Sequence, residues 1–156
     1  MNTWQQNPNL ARLAAAAARL QPLLGQIAFV GGCVTGLLLT DPAAAPIRPT
    51  LDVDAIVAVG SYAEFTFLEN RLRELGFHQS QAEGAPICRW TSGDLILDLM
   101  PTDSSILGFS NRWYQPALKN AVELASTHTK SSSLPRLIFS PRSWERFARG
   151  EGTTFG

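Results

Sequence analysis

Arg48-Pro-Thr-Leu-Asp-Val-Asp-Ala-Ile-Val57 is the stretch that decides how this chain folds. From Leu51 to Val59 the residues alternate and are rich in β-branched types, the pattern of a strand. Strand residues two apart share a face, so Asp52 and Asp54 project together while Leu51, Val53 and Ala55 point the other way. Two neighbouring carboxylates repel each other, and the cost persists unless water or a cation compensates the charge. A third acid, Asp98, sits inside Leu95-Ile-Leu-Asp-Leu-Met100, a second strand pattern. If the two strands are neighbours, three hard oxygen donors converge, a set suited to one or two Mg²⁺ (or Mn²⁺) ions. Paired ions of this kind can hold both the attacking and the leaving oxygen of a phosphoryl displacement.

Working outward, Ile27-Ala-Phe-Val30 is a short apolar strand that runs into Gly31-Gly32, and a helix is expected over Val34 to Leu39. Glycines at such a junction let backbone N–H groups approach phosphates at a helix start. Asn9 is expected to cap a helix to about Leu20, with Leu10, Leu13, Ala17 and Leu20 on one face. Asp41 to Pro49, with three prolines and no period, reads as a loop. Tyr62 to Leu75 has a helical period and stops at Gly76. Ile87 to Thr91 and Asp94 to Met100 read as a hairpin turning at Ser92-Gly93. Asp103 and Ser104 cap a turn or helix, Asn111 to Leu124 is expected to be helical, and Ser131 to Ser133 is a linker. The last twenty residues carry no pattern. The expected fold is α+β, a mixed β-sheet flanked by helices, with the helices on one side.

Bulk composition narrows the functional classes. At 156 residues, 45% hydrophobic and 17% charged, the chain is one domain's worth of foldable sequence and not a disordered segment. Thirteen basic and thirteen acidic residues cancel, so no global field attracts nucleic acid or membrane. From Lys130 onward five basic residues face two acidic ones, so a polyanion would prefer the tail. Cys33 and Cys88 lack CxxC spacing, and no signal peptide or span-length apolar run is seen, so a cytoplasmic, reduced protein with no membrane partner is expected. Cys33 reads as a small apolar residue at a helix start, a place where a thiol pKa can be lowered. Arg89 either pairs with a carboxylate or meets phosphate. Trp90, Trp113 and Tyr114 read as core or groove aromatics, and His78 and His128 as surface residues.

Phe29-Val-Gly-Gly32, then Arg48-Pro-Thr-Leu-Asp-Val-Asp54, then Leu97-Asp-Leu99 resembles the polymerase-beta-type nucleotidyltransferase superfamily. The Arg-x-Thr-x-Asp-x-Asp wording and Asp103-Ser-Ser-Ile-Leu-Gly-Phe-Ser110 are similar to its abortive-infection toxin branch. The resemblance covers roughly residues 10 to 120 and implies a polymerase-beta-like core over 1–130, with 131–156 a linker and irregular tail. It implies that Asp52, Asp54 and Asp98 bind metal and carry catalysis, with Asp98 helping to deprotonate the attacking hydroxyl. Gly31, Gly32, Arg48, Thr50 and Arg89 would form the nucleotide-binding group. The implied reaction moves an NMP from an NTP to a hydroxyl of tRNA or protein, and a cognate antitoxin is an expected partner.

The chain departs from the toxin branch after the core. Those proteins continue with a phosphate-supporting lysine in an Ala-Thr-Lys-Leu-like segment, whereas this chain has Ile138-Phe-Ser-Pro-Arg-Ser-Trp144 and ends Thr153-Thr-Phe-Gly156. Codons for Phe-Ser-Pro-Arg-Ser-Trp, shifted by one base, can spell Ala-Thr-Lys-Leu. The expectation is therefore a truncated core whose frame slips shortly before Phe139. A gene sequence with no family-like continuation in either shifted frame refutes it. The competing expectation is a catalytically impaired nucleotide-binding or antitoxin-interacting module.

Overall fold

A computed structural model describes residues 7–34, 48–124 and 137–139. The expected helix beyond Val34, the loop up to residue 47, the 131–133 linker, His128 and the tail from 140 onward lie outside the described residues.

Two strands form the centre: β2 (Asp52–Val57) and β5 (Leu95–Pro101) run parallel, with Asp54 opposite Asp98 and Ile56 opposite Met100. β1 (Ile27–Val30) flanks β2 and β4 (Arg89–Ser92) flanks β5, both antiparallel, and β3 (His78–Gln79) closes the edge beyond β4. The sheet order is β1-β2-β5-β4-β3, a mixed sheet as expected.

The period-two pattern sorts side chains onto two faces. Phe29, Val53, Ala55, Val57, Trp90, Leu97 and Leu99 pack with helix α1 (Pro8–Arg19) and helix α2 (Tyr62–Glu74) in one buried cluster. Trp90 is thus a core residue, with Arg73 stacked over its ring. The opposite face carries a smaller cluster of Ala28, Ile56, Cys88 and Met100, covered by Ala117 of the short helix α4 (Tyr114–Lys119). Helices therefore lie on both faces, not one, because Ile56 and Met100 need apolar cover too.

Local chemistry explains the element ends. Asn7, not Asn9, caps α1: its side chain accepts from the Asn9 N–H at 3.0 Å, and Pro8 takes the first helical position, where its missing N–H costs nothing. Ser61 caps α2 by accepting from the Glu64 N–H, and Glu64 reaches back to the Gly60 N–H. α2 ends in a double hydrogen bond, Gly76 N–H to Arg73 and Phe77 N–H to Leu72, with Gly76 at φ +85°. The β4–β5 hairpin turns at Gly93-Asp94, one residue later than expected, with Ser92 opposite Leu95. Asp103 caps helix α3 (Ser104–Leu107) through the Ser105 N–H at 2.8 Å, and this hydrogen bond lowers its pKa.

The expected helix over Asn111 to Leu124 is shorter than its sequence pattern. α4 ends at Lys119, and Val122–Leu124 forms β6, paired antiparallel with β7 (Leu137–Phe139). Those last three residues belong to the stretch that carries no sequence pattern. The partners lie across a long separation, so neither strand shows locally. Among the described residues no helix is long and apolar enough to cross a membrane.

Candidate metal centre

Parallel pairing of β2 with β5 decides the site. Asp54 and Asp98 occupy the same rung, Val30 lies beside Asp54 on β1, and Arg89 lies beside Asp98 on β4. Neighbours on one rung point to one face, so Asp54, Asp98 and Arg89 emerge together, with Asp52 two residues back on the same face. One oxygen from each of Asp52, Asp54 and Asp98 falls within 4.8 Å of the others. Oxygens this close can be shared by one divalent ion or bridge two.

Arg89 joins this cluster. Its Nε donates to Asp98 Oδ1 at 2.8 Å and its Nη2 to Asp98 Oδ2 at 2.7 Å. The same Nη2 donates to Asp52 Oδ2 at 2.9 Å. The Asp98 hydrogen bonds push the Arg89 pKa further up, so the guanidinium stays charged. Asp54 receives no such bond. Burial, then Asp52 and Asp98, push its pKa up to about 7, against a smaller downward pull from Arg89. Three ionised carboxylates would outnumber the one guanidinium by two charges, and the raised Asp54 pKa reflects its burial together with that excess. A hard divalent cation is the partner that donor set fits.

The glycine pair belongs to the same geometry. Gly31, at φ +79°, lies where a Cβ would overlap Asp54 Oδ2, and a Cβ on Gly32 would come to 2.6 Å from Thr50 Cγ2. Both glycines therefore make room for the acidic strand and its approach segment. Gly32 begins a helix in the described residues, two residues before the expected start at Val34.

The segment entering β2 is held by residues whose importance the sequence does not display. Asn9 is 1% exposed; its Nδ2 donates to the Arg48 carbonyl at 2.9 Å and its Oδ1 accepts from the Thr50 N–H at 2.8 Å. Arg12 Nη1 also donates to the Thr50 carbonyl. Asn9 thus acts as a strand-like partner for residues 48–50, a role hidden because Asn near a helix start reads as a cap. Thr50 Oγ1 lies 3.1 Å from Cys33 Sγ and donates to the Asp52 carbonyl at 3.3 Å. The Arg48 side chain is exposed and makes no ion pair with a described residue.

Cys33 is buried as a small apolar residue, as expected, and desolvation raises its pKa. Cys88 lies on the other face of the sheet, where burial and then Asp98 push it up to about 11; both cysteines are free thiols. Tyr114 packs against the second-face cluster and donates to Met100 Sδ at 3.0 Å. Burial and then Asp54 push its pKa up to about 12, so it forms part of the wall beside the acids. Arg112 covers the Trp113 ring at 4.6 Å. His78 is exposed, as expected.

No protein-family model matches this chain, and no curated protein is significantly similar to it.

Proposed function

We propose that this face is the active site of a divalent-metal-dependent nucleotidyltransferase of the polymerase-beta type, similar to the toxin branch. The observation that carries the reading is the convergence of Asp52, Asp54 and Asp98 on one end of a parallel strand pair, beside a glycine junction shaped around Asp54. Mg²⁺ or Mn²⁺ bound there supplies charge neutralisation for a triphosphate and its leaving pyrophosphate. Asp52, Asp54 and Asp98 would hold it. The reaction is NTP plus acceptor hydroxyl giving nucleotidylated acceptor plus pyrophosphate, with tRNA or a protein as acceptor.

The residues divide the remaining work. A proton must leave the acceptor hydroxyl. Asp98 is the residue the resemblance assigns to receive that proton, from a hydroxyl whose pKa a metal held by the three acids would lower. Arg89, permanently charged and already among the acids, is the cation assigned to meet a phosphate oxygen. Asn9 and Arg12 hold the 48–50 segment and so set where β2 begins.

The test is transfer of label from each α-labelled NTP with Mg²⁺ to total tRNA or to protein acceptors, with the Asp52→Ala/Asp54→Ala protein as control. Label transfer that disappears in the control supports the enzyme. A folded chain that transfers no label from any NTP refutes it. One observation favours a second reading, a catalytically impaired nucleotide-binding or antitoxin-interacting module. Arg89 already pairs two of the three acids, as in a structural ion-pair network. Mg²⁺-dependent nucleotide binding without transfer selects that module.

A further inference from the structure

We propose that Arg89 and a divalent metal ion are alternative partners of the same carboxylates, so that metal binding requires the guanidinium to leave Asp52 and Asp98. The inference rests on the metal-site reading above and concerns how that site is filled. Of the four oxygens on Asp52 and Asp98, three accept hydrogen bonds from Arg89. Asp98 is the most constrained. Its side chain is 9% exposed, and the guanidinium fork takes one lone-pair position on each of its oxygens. A cation at the cluster would lie against this fixed positive charge, and the two repel each other in a partly desolvated setting.

The fold gives Arg89 a way out. β4 is the next-to-last strand of the sheet, and the Arg89 side chain is 26% exposed. The Asp52 side chain is 31% exposed, so the outer edge of the cluster already meets water. Rotation about the long arginine stem moves the head toward solvent without backbone movement. Asp98, buried under the fork, cannot follow and is left needing a new counter-charge. A metal ion satisfies that need, and a polyphosphate on the ion gives the released guanidinium a bidentate partner. Metal and triphosphate binding are therefore coupled through Arg89: each is weaker alone than with the other present.

The test measures Mn²⁺ affinity of the full chain by titration calorimetry, with Arg89→Met and Arg89→Lys beside the wild type. Removing a competing charge should tighten Mn²⁺ binding by roughly 10- to 100-fold in Arg89→Met, and less in Arg89→Lys. Added tripolyphosphate should strengthen Mn²⁺ binding in the wild type more than in Arg89→Met. A purely structural arginine predicts the opposite sign, because its loss would disorder the carboxylates and weaken binding. If Arg89→Met does not fold, ¹⁵N spectra of the wild-type arginine side chains replace it. The Arg89 Nε–H signal should shift toward solvent-exposed values as Mg²⁺ saturates. Saturable binding with that signal unmoved, or with equal or weaker affinity in Arg89→Met, overturns the inference and leaves the metal site standing. No saturable binding in any of the proteins sinks the metal reading and this inference with it.

Discussion

Asp54→Asn should stabilise the chain at alkaline pH, the reverse of the usual destabilising effect of a single substitution. Asp54 has a folded pKa of about 7 against an ordinary value of 3.8. Between those values the folded chain holds a proton that the unfolded chain has released, so stability falls as pH rises through this window. Three units at about 1.4 kcal/mol each give an upper limit of roughly 4 kcal/mol. Asp54 is only half-buried, and solvent screening reduces this to about 2 kcal/mol. Asparagine is neutral at every pH and escapes the cost. In EDTA at pH 8, Asp54→Asn should melt roughly 5 to 8 °C above the wild type, with the difference shrinking toward zero near pH 4. Thermal unfolding followed by circular dichroism from pH 4 to 8.5 measures it, and the difference between the two proteins cancels titration of other groups. A gap that stays constant with pH, or a variant less stable at pH 8, would refute the charge-repulsion account. Mg²⁺ should close the gap by stabilising the wild type, by about 2.7 kcal/mol at a hundredfold excess over Kd.

Two further substitutions test the frame around the acids. Gly31→Ala combines a left-handed backbone with overlap on Asp54 Oδ2; it should cost about 2 kcal/mol or more in urea unfolding and weaken Mn²⁺ binding, whereas a loss under 0.5 kcal/mol would show the junction is not packed on the carboxylate. Asn9→Ala removes both hydrogen bonds that the buried Asn9 amide makes to residues 48–50; a loss of about 1 to 3 kcal/mol is expected, and a neutral result would mean that water replaces both bonds.

Much of the site's face was legible in the chain. The period of two along Leu51 to Val59 placed Asp52 and Asp54 together, and the same period placed Asp98 with Ile96 and Met100. Gly76 marked the end of α2, and Asp103 the start of α3, because both act through their own backbone neighbourhood. Asn9 misled because capping and burial use the same side-chain amide, and nothing local tells them apart. Val122–Leu124 misled because its pairing with Leu137–Phe139 is non-local.

The hairpin shows where local reading stops. A turn at Ser92-Gly93 would set Arg89 opposite Ile96, whereas the turn at Gly93-Asp94 sets it opposite Asp98. One residue in the turn moves the partner by two without changing the face, so the sequence indicates Arg89's side of the sheet but not its neighbour. By itself the sequence determined which residues share a face, because side-chain direction follows from backbone period. Tertiary structure alone decided that β2 lies beside β5 with Asp54 level with Asp98, and that Arg89 closes the rung. Strand order and register are settled by packing between segments some forty residues apart, and no local pattern records that contact.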